Sequence, residues 1–328
     1  MKQVNIGLLG LGNIGTGTYK TLEMNREHIR RKTGLDFNIA RILEKDVDRD
    51  RGISVSKDIF TQNPDDIWND PNIDIVVELL GGVEPATTFM LDALGHGKHV
   101  VTANKAAVAA NYEALTEAAA KNNVMFRFEA SVGGGIPILN ALTTALLANE
   151  YEEIMGILNG TTNYILTKMT EEDLPYADAL KEAQAKGFAE ADPTADVEGE
   201  DVANKLSILM SLIFGKRVLP ADIPTTGITQ ITKADIESAA ADDCVIKLIA
   251  AAFKRGDEVT YFIQPTLLNK DHPLASVGNE FNAIFVRGNA VDDLMFYGKG
   301  AGPLPTGSAV MGDVIEIGRA IAKGAAFD

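Results

Sequence analysis

The chain has 328 residues, 46% hydrophobic and 23% charged, a balance typical of a soluble globular protein whose length suggests two domains. Its formal charge of −16 argues against a nucleic-acid partner, and its apolar stretches fall far short of the roughly 20 residues needed to cross a bilayer. One cysteine cannot form an internal disulfide, and with four scattered histidines it gives no zinc-type spacing, so we expect a cytoplasmic protein.

The first part of the chain alternates short β-branched runs with helical stretches, the pattern of a parallel sheet built from β-α-β units. Residues with chemical character follow several of these runs, and in open α/β sheets ligands bind beyond the carboxyl ends of the strands. A ligand site is therefore expected along that edge. The predicted strands are residues 4–9, 38–43, 73–78, 99–102 and 124–129.

The first strand leads directly into a glycine-rich turn that fits the dinucleotide-binding fingerprint. The first glycine permits the turn, the second lets the backbone approach the pyrophosphate, and the third permits close packing of helix on strand. Backbone N–H groups at the start of the following helix then meet the phosphates. The predicted cofactor-binding residues in this turn are Gly10, Leu11, Gly12, Asn13, Ile14 and Gly15.

The end of the second strand bears on the choice between NAD and NADP. An acid there binds the ribose 2′-hydroxyl, whereas a base accommodates a 2′-phosphate. The sequence offers both, Glu44 and Lys45, so the choice stays open, with a lean towards NADP through Lys45.

Lys105 follows the fourth strand and Asn104, which is a plausible helix cap. The lysine would then lie near the positive end of a helix dipole, an unfavourable place for a cation. Either the side chain simply reaches into water or it has a function, and its place at the carboxyl edge of the sheet favours function.

A second domain is predicted beyond Gly135, because the alternation of strands and helices changes there. Helices are predicted at residues 137–148, 161–171, 175–186 and 200–214, and a strand at 153–158. Two strand pairs, 244–253 with 258–268 and another flanking Gly288-Asn289, indicate a mostly antiparallel sheet. A helical pattern over 312–322 is expected to pack back onto the first domain.

An acidic segment precedes Lys205: six acids lie between Gly187 and that lysine. The plain interpretation is an acidic helix start, in which Asp201 and Lys205 form an ordinary i, i+4 pair. The functional interpretation is that the helix presents both groups on one face as acid-base groups.

Residues 183–205 resemble the signature of the homoserine dehydrogenase family, with Asp192-Pro193, Asp196, Asp201 and Lys205 at the family's spacings. The stretches 102–105, 129–137, 159–164 and 300–306 also resemble family motifs, so the likeness covers essentially the whole chain. It implies NAD(P)-dependent interconversion of L-homoserine and L-aspartate 4-semialdehyde, a step towards threonine and methionine.

The resemblance implies a role for each matching residue. Lys205 is the candidate general acid-base, Asp201 orients it, and Lys105 shares the proton relay or polarises the substrate oxygen. Glu190 and Asp196 suit the substrate ammonium, and the backbone around Gly160 and Thr161 suits its carboxylate. Further residues expected at the cofactor are Thr102, Lys105 and Gly302.

Relatives bind a monovalent cation, largely through main-chain carbonyls, at positions matched in the glycine-rich stretch after the fifth strand. The alternative is a glycine-rich hinge without an ion. The sodium ligands that the resemblance implies are Glu129, Val132, Gly134 and Ile136.

The expected fold class is α/β, with a Rossmann-type dinucleotide-binding domain at residues 1–135 and the segment 302–328 packed on it. Residues 136–301 would form an α+β catalytic and dimerisation domain of a homodimer. Because the chain ends at Asp328, we expect a monofunctional enzyme without the regulatory or aspartate kinase domains of some relatives.

Two rival functions are weighed against this one. The first is another two-domain NAD(P)-dependent dehydrogenase of a small polar substrate, and the second is a non-enzymatic dinucleotide-sensing regulator, which would need a partner-binding segment that the sequence does not display. A thiol-dependent aldehyde dehydrogenase is disfavoured, because Cys244 begins an apolar strand with no histidine near it in sequence.

Overall fold

The computed structural model describes residues 1–324, and its backbone contacts divide the chain into two units. The first unit comprises Met1–Gly135 together with the segment that begins at Gly302, and the second comprises Ile136–Ala301. Within residues 1–324, no helix combines the length and the apolar character that a membrane crossing requires.

Six parallel strands form the sheet of the first unit. They are β1 (Lys2–Leu9), β2 (Leu35–Leu43), β3 (Phe60–Thr61), β4 (Ile75–Glu78), β5 (His99–Thr102) and β6 (Phe126–Arg127). Their order in the sheet is β3-β2-β1-β4-β5-β6, that of Rossmann-type dinucleotide-binding folds. The order reverses between β1 and β4, and this switch point is where such folds bind their ligand.

The strands of this sheet are apolar runs because both faces of the sheet are covered. All four residues of β4 are buried. The covering helices are α1 (Asn13–Thr33), the short α2 (Asp65–Trp68), α3 (Ala86–Gly95) and α4 (Lys105–Lys121). The predicted strand 124–129 is reduced to β6, because the backbone turns at Phe128, whose carbonyl accepts the Ser131 N–H at 2.9 Å.

The second unit contains a five-stranded sheet that is antiparallel throughout, in the order β11-β10-β7-β8-β9. Gly256, with φ +61°, lies in the two-residue turn that joins β8 to β9. The strands are β7 (Tyr151–Ile157), β8 (Cys244–Arg255), β9 (Glu258–Asn269), β10 (Phe281–Gly288) and β11 (Asp292–Lys299). The predicted fold class is therefore confirmed.

The helices of the second unit include α9 with the predicted bounds and α10, which the sequence reasoning missed. The predicted helix 137–148 is shorter in the structure, because α5 passes into a π-helical turn at Ala141–Ala145. The Tyr151 hydroxyl lies 3.2 Å from the Leu146 carbonyl, which in a longer helix would accept an N–H from the following turn. The helices are α5 (Ile138–Asn140), α6 (Gly160–Glu171), α7 (Tyr176–Ala185), α8 (Thr194–Val197), α9 (Glu200–Phe214) and α10 (Lys233–Ala241).

The last helix, α11 (Pro303–Lys323), belongs to the first unit and starts nine residues before the predicted segment 312–322. It crosses α1 at two glycines. A Cβ atom on Gly17 would lie 2.1 Å from the Pro303 carbonyl oxygen, and one on Gly307 would lie 2.7 Å from the Gly17 carbonyl carbon. Larger residues would push the helices apart, so the start of α11 lies beside the helix that follows the glycine-rich turn.

Lys247 on β8 gives the second unit a pH-dependent stability. Its side chain is buried and donates to the Val277 carbonyl at 2.7 Å and to the Asn163 side chain at 3.1 Å. Burial lowers the pKa of the Lys247 ammonium to about 8, although Glu171 opposes this shift. Between pH 8 and pH 10.5, the folded chain therefore holds this amine neutral while the unfolded chain keeps it charged.

We expect the free energy of unfolding of the parent chain, measured relative to Lys247→Met, to rise by up to about 3 kcal/mol between pH 8 and 10.5. Urea unfolding of both proteins at several pH values measures this difference. The exposed Lys254 lies on the same strand, and Lys254→Met serves as control. A pH-independent difference for Lys247→Met would contradict the prediction.

Candidate active site

The predicted glycine-rich turn joins β1 to α1 at the switch point of the sheet. Gly10 has φ +88°, a conformation that favours glycine, and its N–H donates to the Leu43 carbonyl at 2.9 Å. A Cβ atom on Gly15 would lie 2.3 Å from the Gly10 carbonyl oxygen, whereas one on Gly12 would meet nothing within 4 Å. The turn thus packs tightly at Gly15 and leaves open space at Gly12, as approach of a pyrophosphate requires.

Glu44, at the end of β2, is bound to this turn. Its carboxylate accepts the Leu11 N–H at 2.9 Å and also the N–H groups of the next two residues. Arg51 lies 3.3 Å from the same carboxylate and donates to the Leu11 carbonyl at 2.7 Å. Burial acts to raise the pKa of Glu44, but the three N–H donors and the guanidinium outweigh it, so the pKa lies below its usual range.

Lys45 contrasts with Glu44, because its side chain is exposed. Arg51 was missed in the sequence reasoning, and its side chain is only 7% exposed. Its contact with Leu11 could not be predicted locally, because the two residues are 40 positions apart in the sequence. The only candidate signal is a third base, after Lys45 and Arg49, in the segment that follows β2.

Thr102 and Lys105 lie where β5 passes into α4. The buried Thr102 hydroxyl accepts the Asn104 N–H at 2.9 Å. Asn104 caps the helix as predicted, since its side chain accepts the Ala107 N–H at 3.1 Å. Lys105, half-buried, is therefore the first residue of α4, at the carboxyl edge of the sheet.

Lys205 is buried in the second unit, on α9, and its ammonium is held by two acceptors. It donates to the Leu158 carbonyl and to the Asp201 carboxylate, each at 2.6 Å. Helical spacing explains the second contact, because Asp201 lies one turn earlier on the same face. The local prediction of an i, i+4 pair is confirmed, and burial of the lysine gives it a rigid position.

A hydrogen-bonded network continues from Asp201 to Asp196. The buried Asn159 side chain donates to both, at 3.0 Å to Asp201 and 2.7 Å to Asp196, and the Thr161 hydroxyl lies 3.2 Å from Asp196. Burial raises the pKa of the Asp196 carboxyl, and the Asp201 carboxylate adds to the rise, while hydrogen bonds from Asn159 and Thr161 and the charge of Lys205 oppose it.

Asn159 was missed as a functional residue, although an asparagine before Gly160 is a helix-start signal. Its side chain accepts the Thr162 N–H and so caps α6, which places the Gly160 and Thr161 N–H groups at the positive end of a helix. A Cβ atom on Gly160 would lie 2.6 Å from the Glu280 carbonyl oxygen, so only glycine fits there.

Two predicted site residues lie apart from these networks. The Glu190 side chain is exposed on the loop after α7, and the residue is anchored through its carbonyl, which accepts from Gln184 at 3.1 Å. Gly302 caps α11 with φ +119°, and Pro303 follows it at the first helical position. That glycine-proline pair is a helix-start signal that the sequence reasoning overlooked.

The predicted cation ligands lie in an irregular stretch after β6. Glu129 and Val132 are buried, as is the glycine pair Gly133-Gly134, whose φ values are +73° and +55°. Ile136 is also buried, and its carbonyl accepts the Ile138 N–H at 2.8 Å. Across residues 1–324, there is no group of three or more His, Cys, Asp or Glu side chains that could hold a metal ion.

The first unit carries the dinucleotide fingerprint at the switch point of a Rossmann-type sheet, and the second holds a buried lysine against a carboxylate. These features define a two-domain NAD(P)-dependent oxidoreductase. The profile described as homoserine dehydrogenase matches residues 137–315, and the profile of the homoserine dehydrogenase NAD binding domain matches residues 10–129. The chain belongs to the homoserine dehydrogenase family, and the predicted interconversion of L-homoserine and L-aspartate 4-semialdehyde, an oxidation and reduction at a CH–OH group, is thereby confirmed.

Similar proteins include the homoserine dehydrogenase of Bacillus subtilis, which is 44% identical over 317 residues, 97% of this chain and 73% of the relative. The crystal structure of a homoserine dehydrogenase from Thiobacillus denitrificans matches with a TM-score of 0.94 and 42% identity, over 98% of this chain and 75% of that one. A hyperthermophilic archaeal homoserine dehydrogenase in complex with NADPH matches with a TM-score of 0.81 and 27% identity, over 99% of this chain and 100% of that one.

Proposed function

We propose that Lys205 is the general acid-base of the reaction and that Asp201 orients it. The observation that carries this assignment is the ammonium of a buried lysine held at 2.6 Å by both Asp201 and the Leu158 carbonyl. A bound nicotinamide would supply the hydride transfer to or from the carbon that bears the substrate's side-chain oxygen. As the alcohol is oxidised, the neutral amine form of Lys205 takes the hydroxyl proton and becomes the ammonium, and in the reverse direction the ammonium returns that proton to the oxygen.

Lys105 is proposed to polarise the same oxygen or to share the proton relay. Its place at the carboxyl edge of the parallel sheet, where dinucleotides bind, supports this role. The glycine-rich turn, Thr102 and Gly302 are proposed to bind the cofactor, so that the first unit is the dinucleotide-binding domain and the second carries the substrate site.

The general test of these assignments is turnover with L-homoserine, measured with NAD and then with NADP. The absorbance of the reduced nicotinamide reports the rate. Turnover is expected with at least one cofactor. An enzyme inactive with L-homoserine but active with another small polar alcohol would overturn the proposed substrate site.

The substrate amino acid needs carboxylates for its ammonium and N–H donors for its carboxylate. Asp196 is fixed by Asn159 and Thr161, and the start of α6 presents the N–H groups of Gly160 and Thr161. Glu190 is proposed as the second carboxylate, on an exposed loop of the same unit.

We expect Glu190→Gln to raise the KM for L-homoserine about tenfold or more while kcat changes little. A hydrogen bond to a charged group contributes about 1.5–3 kcal/mol, and the loss would fall mainly on binding. Steady-state kinetics with saturating cofactor measures both constants. Glu200→Gln, which changes another exposed acid in the same segment, is the matched control. An unchanged KM would remove Glu190 from the ammonium site.

NADP is proposed as the preferred cofactor. Glu44 is engaged by the glycine-rich turn and by Arg51, whereas the neighbouring Lys45 side chain is exposed and available to a 2′-phosphate. The archaeal relative solved in complex with NADPH is consistent with this preference.

Lys45→Ala is therefore expected to lower the ratio of kcat/KM for NADP to that for NAD about tenfold, since a lysine-phosphate contact of about 1.4 kcal/mol would be lost. Lys20→Ala, which removes an exposed lysine from α1, should leave the ratio unchanged. A parent enzyme that prefers NAD would contradict the assignment of Lys45.

Three further properties are proposed from the resemblance. Sodium is proposed to bind main-chain carbonyls of Glu129, Val132, Gly134 and Ile136. Oxygen ligands in irregular, buried backbone suit a hard cation. The test compares the thermal unfolding midpoint in sodium salt with that in tetramethylammonium salt, and a bound sodium ion would make the midpoint higher in sodium.

A homodimer is proposed through the second unit, whose edge strand β11 exposes Met295 and Tyr297 on one face of the sheet. Sedimentation that gives the mass of one chain would overturn it. The place of the reaction in threonine and methionine biosynthesis is proposed from the substrate and product, and the cytoplasmic location stays a prediction.

A further inference from the structure

Glu78 is a fully buried acid at the switch point of the parallel sheet. It is the last residue of β4 and is 0% exposed. In the sheet it pairs with Leu9 of β1 on one side and with Thr102 of β5 on the other. Its partner Leu9 immediately precedes the glycine-rich turn, and its partner Thr102 ends the strand that leads to Lys105.

Both carboxylate oxygens of Glu78 accept short hydrogen bonds from neutral donors. The Leu80 N–H donates to Oε1 and the Thr102 hydroxyl donates to Oε2, each at 2.6 Å. Burial raises the pKa of Glu78, while hydrogen bonds from Thr102, Leu80, Gly81 and Asn104 oppose that rise. An acid in such an environment at the ligand edge of a sheet is a candidate for a functional role.

The hydrogen bonds continue from Glu78 to the helix that begins at Lys105. Thr102 donates its hydroxyl proton to Glu78 and accepts the Asn104 N–H. Asn104 in turn donates to the Gly82 carbonyl at 2.7 Å and accepts the Ala107 N–H in the first turn of α4. The turn at 80–82 and the start of α4 are thus tied together in two ways, directly by the Asn104–Gly82 hydrogen bond and through the Glu78 carboxylate.

We propose that Glu78 is a positioning residue for the reaction: it fixes the turn at 80–82 and the start of α4, and so sets the position of Lys105 at the cofactor edge of the sheet. This inference rests on the proposed role of Lys105. An isosteric amide places an NH₂ donor opposite the Thr102 hydroxyl and reverses that hydrogen bond. Small displacements of this kind slow positioned catalytic groups by up to about a hundredfold.

The test is a double-mutant cycle between Glu78→Gln and Lys105→Ala, read as kcat with saturating substrates. Glu78→Gln is expected to lower kcat about tenfold in the parent and less than about twofold in the Lys105→Ala background. Asp74→Asn is the matched control: Asp74 precedes β4 at the opposite edge of the sheet and also accepts a backbone N–H, from Asn5 at 2.8 Å. This variant should keep the parental kcat.

A second pair of variants tests the connection without changing Glu78. Thr102→Val removes the hydroxyl that donates to Glu78 and is expected to lower kcat about as much as Glu78→Gln. Thr102→Ser keeps that hydroxyl and is expected to lower kcat less than Thr102→Val. Thermal unfolding establishes that each variant is folded. Equal activity of the Val and Ser variants would overturn the proposed connection through Thr102.

The outcomes separate this inference from the proposed function. If Lys105→Ala is slow but Glu78→Gln has the parental kcat, the inference fails and the role of Lys105 stands. An equal loss from Glu78→Gln in both backgrounds shows that Glu78 acts independently of Lys105, and also overturns it. If Lys105→Ala itself has the parental kcat, the proposed role of Lys105 and the inference both fail.

Discussion

Lys205→Ala is expected to lower kcat by about two to four powers of ten, the usual contribution of a positioned acid-base group. The substitution removes the amine proposed to exchange a proton with the substrate oxygen. Asp201 keeps its hydrogen bond from Asn159, so the carboxylate network stays partly in place. Cofactor binding, measured by the fluorescence of bound reduced nicotinamide, should change little, because the fingerprint lies in the other unit.

Lys205→Arg separates charge from proton transfer in this prediction. A guanidinium keeps the positive charge beside Asp201, but its pKa is too high for it to act as a base near neutral pH. The arginine variant should therefore be nearly as slow as the alanine variant. Lys168→Ala is the matched control, because Lys168 forms an i, i+4 ion pair with Glu172 on another helix of the same unit. A near-parental rate in either Lys205 variant would return this lysine to a structural role.

Lys105→Ala is expected to lower kcat by about two to three powers of ten, through loss of the cation that polarises the substrate oxygen or relays its proton. The KM values should change less than kcat, because the interaction strengthens as charge develops in the transition state. Lys121→Ala at the other end of α4 is the control, since it removes an exposed lysine from the same helix far from the carboxyl edge.

The pattern across the two lysines also carries information. When two groups act on one step, removing the second after the first costs less than the sum of the single effects. The double variant is therefore expected to be less impaired than the product of the two single losses. Fully multiplicative losses would indicate that the lysines serve separate steps.

Local features of this protein could be predicted from its sequence alone. Helix α9 has the predicted bounds, the Asp201–Lys205 pair forms as expected, and Asn104 caps α4. Each depends on residues within about one helical turn of one another, where periodicity and capping chemistry dictate the geometry. The family motifs predicted the remaining site residues by resemblance. The family itself is confirmed, and the roles of those residues stay predictions.

Contacts between distant residues were decided only by the tertiary structure. Asn159 joins Asp196 and Asp201 across 37 and 42 residues, and Glu78 meets Thr102 across 24. Such partners are set by how strands and helices pack, and hydrophobic periodicity records only which face of an element is buried, not which polar side chain it will meet. The sequence thus determined the elements and their chemistry, whereas packing decided which carboxylate, amide and hydroxyl groups meet beside Lys205 and at the start of α4.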